Sequence, residues 1–170
     1  QIQLKSTRVI STNYMAPLVT EQTGSCFRQD SLRTLFVPYD NDSWIRYASM
    51  RDCGHSFRSY EVTAIYDAPS RKGLVIGAIN HDGWKSGLDL SEESKQLKGF
   101  SGVADALTRD HHRHGSISGT ELASASFMLG VFADWREGMD TYARLNTLVA
   151  PPRHWSKAVP IGWNSWGALQ

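Results

Sequence analysis

Apolar and polar positions alternate with period two along most of the chain up to about residue 133. Residues 57–66 (FRSYEVTAIY) mix β-branched and aromatic side chains at strand spacing, and the run from Asp67 to Gly73, with Pro69 and Ser70 inside it, predicts a turn. Residues 74–79 (LVIGAI) then read as a buried strand and hairpin partner, closed by the turn chemistry of Asn80, His81, Asp82 and Gly83. Further strands are predicted over residues 3–10, 34–38, 43–50, 86–90, 95–107 and 119–133. Short strands separated by turn signals about every 8–12 residues predict an all-β fold, a β-sandwich, over residues 1–133.

One helix is signalled after the strands. Asp134 is placed to accept from the amide of Glu137, and Glu137 to reach back, an acidic form of the capping box. Trp135, Met139, Tyr142, Leu145 and Val149 then fall on one face. Gly138 inside the helix costs about 1 kcal/mol, so the helix over residues 134–150 is expected to depend on packing against the sheets. Pro151 and Pro152 stop it, and residues 151–158 read as a semi-rigid connector.

Composition narrows the partners. The 170 residues carry 18 Lys plus Arg against 17 Asp plus Glu, a net charge of +1 that argues against tracking a phosphate backbone and hence against a nucleic-acid partner. Uninterrupted apolar runs stay far below the roughly 18 residues a bilayer span requires, so no membrane span is expected. The chain opens on Gln1 without a leader pattern, which reads as a processed or trimmed chain. Cys26 and Cys53 either close a loop, with a chain-entropy contribution of about 3.5 kcal/mol, or stay as buried thiols. There is no Gly-x-Ser-x-Gly elbow, phosphate-cradling Gly-rich loop or Cys-x-x-Cys pair, and no cofactor is expected. Asp67, Asp89, Asp105 and Glu121 sit at turn or strand positions where solvated carboxylates are normal.

The most informative stretch follows the connector: Val159, Pro160, Ile161, Gly162, Trp163, Asn164, Ser165, Trp166 and Gly167. Gly-Trp-Asn-Ser-Trp resembles the first barrel strand of the α-galactosidases, the melibiase-type glycoside hydrolases of families 27 and 36, and the Asp-Trp-Arg helix start is similar to family 36-like enzymes. The likeness is tight from about residue 132 to 170 and loose before. It implies an N-terminal β-sandwich of the galactose mutarotase-like supersandwich type, joined through a linker helix to a (β/α)₈ catalytic barrel of which residues 159–170 are the start. At most one barrel strand is then present, and the two catalytic aspartates of the family, on later strands, have no counterpart here. The resemblance therefore implies a non-catalytic N-terminal domain of a retaining glycoside hydrolase acting on α-galactosides or related sugars. The enzyme is the parent protein, and the same-chain TIM barrel and carbohydrate are the partners. A role in homo-oligomer contacts and a periplasmic or secreted location are further expectations. By the same resemblance Trp166 lines the sugar pocket, with Trp163 the weaker candidate; packing of both rings against the sandwich is the alternative.

Two other constellations carry chemistry. In Asn80-His81-Asp82-Gly83-Trp84-Lys85, Trp84 and Lys85 either offer a stacking ring and a hydroxyl-binding ammonium to substrate, or Asp82 pairs with Lys85 while Trp84 fills the sandwich edge. Similar His-Asp-x-Trp-Lys runs occur in related N-terminal domains. In Arg109-Asp110-His111-His112-Arg113-His114, adjacent imidazoles point apart in an extended chain and the arginines repel a cation, so no metal site is expected and a solvated or interdomain loop is the plainer reading. The alternative for the whole chain is a self-standing carbohydrate-binding sandwich with Trp44 or Trp84 as its platform.

Overall fold

The structure, a computed structural model, describes residues 1–20, 31–38, 47–51, 56–91, 96–102 and 116–158. Among the described residues the chain is mostly β-structure, eleven strands, with one helix. A five-stranded sheet runs in the order β11 (Phe127–Phe132), β7 (Gly73–Ala78), β6 (Val62–Asp67), β3 (Leu32–Phe36), β4 (Ala48–Arg51). A four-stranded sheet runs β2 (Tyr14–Val19), β9 (Gln96–Gly102), β8 (Ser86–Ser91), β5 (Phe57–Tyr60). β1 (Gln3–Thr12) and β10 (Ile117–Ala123) pair as a two-stranded sheet. Every neighbouring pair is antiparallel. No helix among the described residues is long and apolar enough to cross a membrane.

The two larger sheets share a core. Ile76 from β7 meets Leu88 and Leu90 from β8 and Leu97 from β9, with Leu18, Phe57, Leu74 and Phe127 packed around them. Each such aliphatic side chain contributes about 2 kcal/mol by leaving water. On the far side of the five-stranded sheet Val62, Ala64 and Val75 meet Trp135, Met139 and Tyr142 of the helix α1 (Trp135–Val149). β7 is thus covered on both faces, by β-structure and by helix, which is why its sequence is an unbroken apolar run.

Three strand expectations change in the structure. Residues 57–66 are not one strand: Glu61, at φ 65°, breaks the run, leaving β5 in one sheet and β6 in the other. The Glu61 N–H donates to the Ser86 carbonyl (2.9 Å) and its own carbonyl accepts from Ala78 N–H (2.8 Å), so the corner is bonded to both sheets. Residues 119–133 likewise divide into β10 and β11: Ser124 N–H still donates to Ile2 O (2.9 Å) at the end of the β1–β10 ladder, but the Ala125 and Ser126 amides turn to the side chains of Ser101 (Oγ, 3.0 Å) and Asn80 (Oδ1, 2.6 Å). β2 is an additional strand that the alternation did not show. It carries Pro17 on a sheet edge where its pairing with β9 shifts register between Met15 and Leu18, and a proline at an edge bulge breaks the parity that marks a strand.

The helix occupies the expected residues with a different cap. The Asp134 carboxylate accepts from the Arg136 amide at 3.0 Å, the Glu137 amide donating instead to the Asp134 backbone carbonyl at 3.1 Å, and Arg136 also closes on the carboxylate through its guanidinium. Trp135, Met139 and Tyr142 pack inward, whereas Val149 at the end of the expected apolar face is 50% exposed. Gly138 is the buried residue of α1. The connector, residues 151–158, is exposed and carries neither helix nor strand. Cys26, Cys53, Trp44, Asp105, the histidines 111, 112 and 114, and the whole expected barrel segment with Trp163 and Trp166 lie outside the described residues.

Candidate functional site

The corner at Glu61 opens a cleft of about 360 Å³. It is lined by Tyr60 and Glu61 and by His81, Trp84 and Lys85 from the connection between β7 and β8. Ser86, the first residue of β8, lines it as well, and Tyr47, just before β4, adds a ring that is 65% exposed. The β7–β8 connection is held in place from outside, since Asn80 Oδ1 takes the Ser126 amide at the β10–β11 crossing. Sequence-distant segments thus meet where the β5–β6, β7–β8 and β10–β11 crossings between sheets are hydrogen-bonded to one another.

Trp84 is part of the frame. Its indole is only 8% exposed, the Nε1–H donates to Ala123 O at 2.7 Å, and its ring lies against Gly102, where a Cβ would come within 2.7 Å of Cζ3 and φ is +82°. Such a ring offers a wall and no open face for stacking. Lys85 is placed differently: its Nζ is buried and sits 4.8 Å from the centroid of the Tyr60 ring, a cation–π contact. Tyr60 in turn stands edge-on to Phe100 at 6.2 Å. Of the rings lining the cleft, Tyr47 is the exposed one.

The polar groups are of mixed sign and unequal burial. Glu61 Oε1 lies 3.8 Å from His81 Nδ1, with the carboxylate side chain 60% exposed. The other imidazole nitrogen, Nε2, is 2.7 Å from Asn146 Oδ1 on α1, and Asn146 Nδ2 donates to Tyr142 O. Burial pushes the Tyr142 phenol up to about 12, with the Glu61 carboxylate adding to the rise and a hydrogen bond from Asn146 opposing it. Ser86 is 2% exposed and its Oγ is buried with no hydrogen-bond partner among the described residues. A buried hydroxyl left unpaired costs about 1–3 kcal/mol.

A second, wider hollow of about 530 Å³ lies at the other end of β5, between Ser56, Arg58, Asp89, Gln96 and Lys98. Asp89 is not the freely solvated acid its strand position implied. Arg58 grips it twice, Nε to Oδ1 at 2.6 Å and Nη2 to Oδ2 at 3.0 Å, and the guanidinium lies 5.0 Å over Phe100. The hydrogen bond to Asp89 raises the Arg58 guanidinium further above its ordinary range. Asp67 is also bonded, to Ser70 in the β6–β7 turn, and hydrogen bonds from Ser31 and Ser70 hold its carboxyl below the usual value. Glu121 pairs with Lys5 across β1 and β10 at 3.1 Å with both side chains well exposed. Among the described residues no group of three or more His, Cys, Asp or Glu side chains is placed to hold a metal ion.

Compared with family models, curated proteins and solved structures, the chain has no match. Its site therefore speaks through its own residues. Of the four expected sugar contacts, Trp84 and Lys85 lie together in the cleft, and Trp163 and Trp166 are outside the described residues. Glu61, Tyr60, Tyr47 and Ser86 were not singled out from the sequence.

Proposed function

We propose that the chain is the non-catalytic N-terminal domain of a retaining glycoside hydrolase acting on α-galactosides or related sugars. In this reading the two facing sheets are a β-sandwich of the galactose mutarotase-like type, and a (β/α)₈ barrel carrying both catalytic carboxylates follows the connector. The domain supports the barrel and shapes its active-site mouth. Trp166 and Trp163 line the sugar pocket from the first barrel strand, and Trp84 holds the turn that carries Lys85.

The observation that supports this reading best is at the exit of α1. Leu148, Val149 and Trp155 are 77%, 50% and 61% exposed, and they follow one another along the path into the Gly-Trp-Asn-Ser-Trp segment. Bulky apolar side chains left open on a chain exit are suited to an interface with a following domain. The helix that carries the first two is anchored on the five-stranded sheet through Trp135, Met139 and Tyr142, so it delivers them in a fixed direction.

The test is hydrolysis of p-nitrophenyl α-D-galactopyranoside by the full-length gene product that carries this sequence, beside the 170-residue chain alone. Turnover is expected in the longer polypeptide and none in the isolated chain. Leu148→Glu combined with Trp155→Ala is expected to lower the unfolding temperature of the longer polypeptide and leave that of the isolated chain within about 2 °C. A full-length product with no α-glycosidase activity, or turnover by the isolated chain, overturns the reading.

A further inference from the structure

The strands at the sheet edges are protected unequally. β2 carries Pro17 and a register shift, β4 is four residues long and ends on Arg51, and β5 is four residues long with Arg58 inside it. The β1–β10 ribbon carries Lys5, Arg8 and Glu121. Proline, irregular register, shortness and charge each hinder pairing with a further strand. β11 has none of these. Its six residues keep an unbroken register with β7, and no strand lies beyond it among the described residues. No residue from 122 to 133 is charged.

The open side of β11 is defined down to its backbone. Ser126 O accepts from Ile79 N–H at 2.9 Å, while Ala78, opposite Phe127, gives its own N–H to Glu61 O at 2.8 Å. The even-numbered residues of the strand therefore bond to β7, and alternation directs the N–H and C=O of Phe127, Leu129 and Val131 away from it. Side chains follow the same parity. Phe127 packs into the core shared by the two larger sheets, and Leu129 and Val131 lie on its face of the strand, yet they are 52% and 80% exposed. The four-stranded sheet thus stops short of this edge and leaves room beside it.

We infer that two copies of this chain pair antiparallel along β11, Leu129 opposite Leu129 of the second copy, so that the two five-stranded sheets become one. The edge is its own complement. In this register Leu129 exchanges two hydrogen bonds with its counterpart, and Phe127 exchanges two with Val131 on either side, which satisfies every outward N–H and C=O of the three residues in both copies. On one face of the joined sheet Leu129 meets Leu129 and Phe127 meets Val131, apolar against apolar. A two-fold axis sets a segment against itself, so any charge in it would face or neighbour its like; the uncharged stretch from 122 to 133 meets that condition. A charged partner strand would find no opposite charge there. The pairing stands independently of the glycosidase reading.

The test is sedimentation equilibrium of the 170-residue chain, with amide hydrogen exchange read residue by residue by NMR. A dimer is expected at about 100 µM chain, dissociating on dilution to about 1 µM, as suits a small strand-edge interface. Leu129→Lys and Val131→Lys, both at exposed positions, are each expected to raise the dissociation constant at least about a hundredfold while the far-ultraviolet circular dichroism stays that of the unmodified chain. The Phe127 and Leu129 amides are expected to exchange at least about tenfold slower in the unmodified chain at about 100 µM than in Val131→Lys. A monomer at about 100 µM, or a dimer that both lysine variants leave intact, overturns the inference. Protection of the Phe127 and Leu129 amides that persists in Val131→Lys would mean that the edge is covered from within one chain, and overturns it as well.

Discussion

A Cβ placed on Gly138 would lie 2.5 Å from Val75 Cγ2 and 2.6 Å from Phe132 Cδ2. The glycine in the first turns of α1 is thus a point of close approach between helix and five-stranded sheet. In an exposed helix Gly→Ala gains about 1 kcal/mol; here overpacking against Val75 reverses the sign. Gly138→Ala is expected to destabilise by about 1–3 kcal/mol in urea unfolding. Gly77→Ala is expected to behave alike, because its Cβ would meet Tyr142 Cε2 at 2.6 Å from the opposite side of the same interface. A stability gain in Gly138→Ala would show that the helix stands off the sheet.

Arg71 shares with Glu61 a left-handed backbone, φ 65°, but no cleft. Its amide donates to Asp67 O at 2.8 Å, and its carbonyl accepts from Trp135 N–H at 2.9 Å, both of which any residue supplies. The side chain is exposed and 3.8 Å from Asp134. Arg71→Gly is therefore expected to stabilise by about 0.5–1 kcal/mol, relief of the strained φ outweighing the flexibility glycine adds to the unfolded chain. The unfolding temperature measures it, and a fall would mean that the contact with Asp134 dominates.

At the helix start the Arg136 guanidinium and amide hold the Asp134 carboxyl down to about 2. A depressed carboxyl stabilises the fold above its unfolded value of about 3.9, and that contribution fades as pH falls through 4 towards 2. Asn at the same position keeps the cap and removes the charge. Asp134→Asn is expected to unfold at a lower temperature than the unmodified chain at pH 7, with the gap closing by pH 2. A gap independent of pH would locate the difference in the cap geometry.

The Arg58–Asp89 pair joins β5 to β8, with side chains 33% and 29% exposed. Such a two-pronged, partly covered contact is worth more than a free surface ion pair, yet solvent still screens it. A double-mutant cycle of Arg58→Met and Asp89→Asn is expected to give a coupling energy of about 1 kcal/mol that shrinks at high salt. Zero coupling would mean that stacking of Arg58 on Phe100 accounts for its position.

The hairpin of β6 and β7 was legible because its signal is local. Asp67 and Ser70 make the turn, and the alternating and apolar runs on either side set a strand register without help from distant residues. The helix was legible for the same reason, a cap residue, an apolar face and a pair of prolines. Its cap partner was not, since Asp134 chooses between two nearby amides only once Arg136 closes on it.

The cleft lay beyond this kind of reading. The sequence showed Trp84 and Lys85 as neighbours in one turn, but an indole reads the same whether it faces solvent or donates to Ala123 O from the interior.

What the sequence by itself determined is the class of the molecule: alternation and turn residues specify many short antiparallel strands, and one amphipathic run specifies a helix, because both periodicities are properties of a single segment. Which sheet each strand joined was decided by tertiary structure. Tyr60 and Val62 are two residues apart and belong to different sheets, since Glu61 turns the chain where Ser86 and Ala78, from the two sheets, meet its backbone. Burial is a property of what arrives from elsewhere, so Gly138 became a contact point and Ser86 a buried hydroxyl only when strands distant in sequence closed over them.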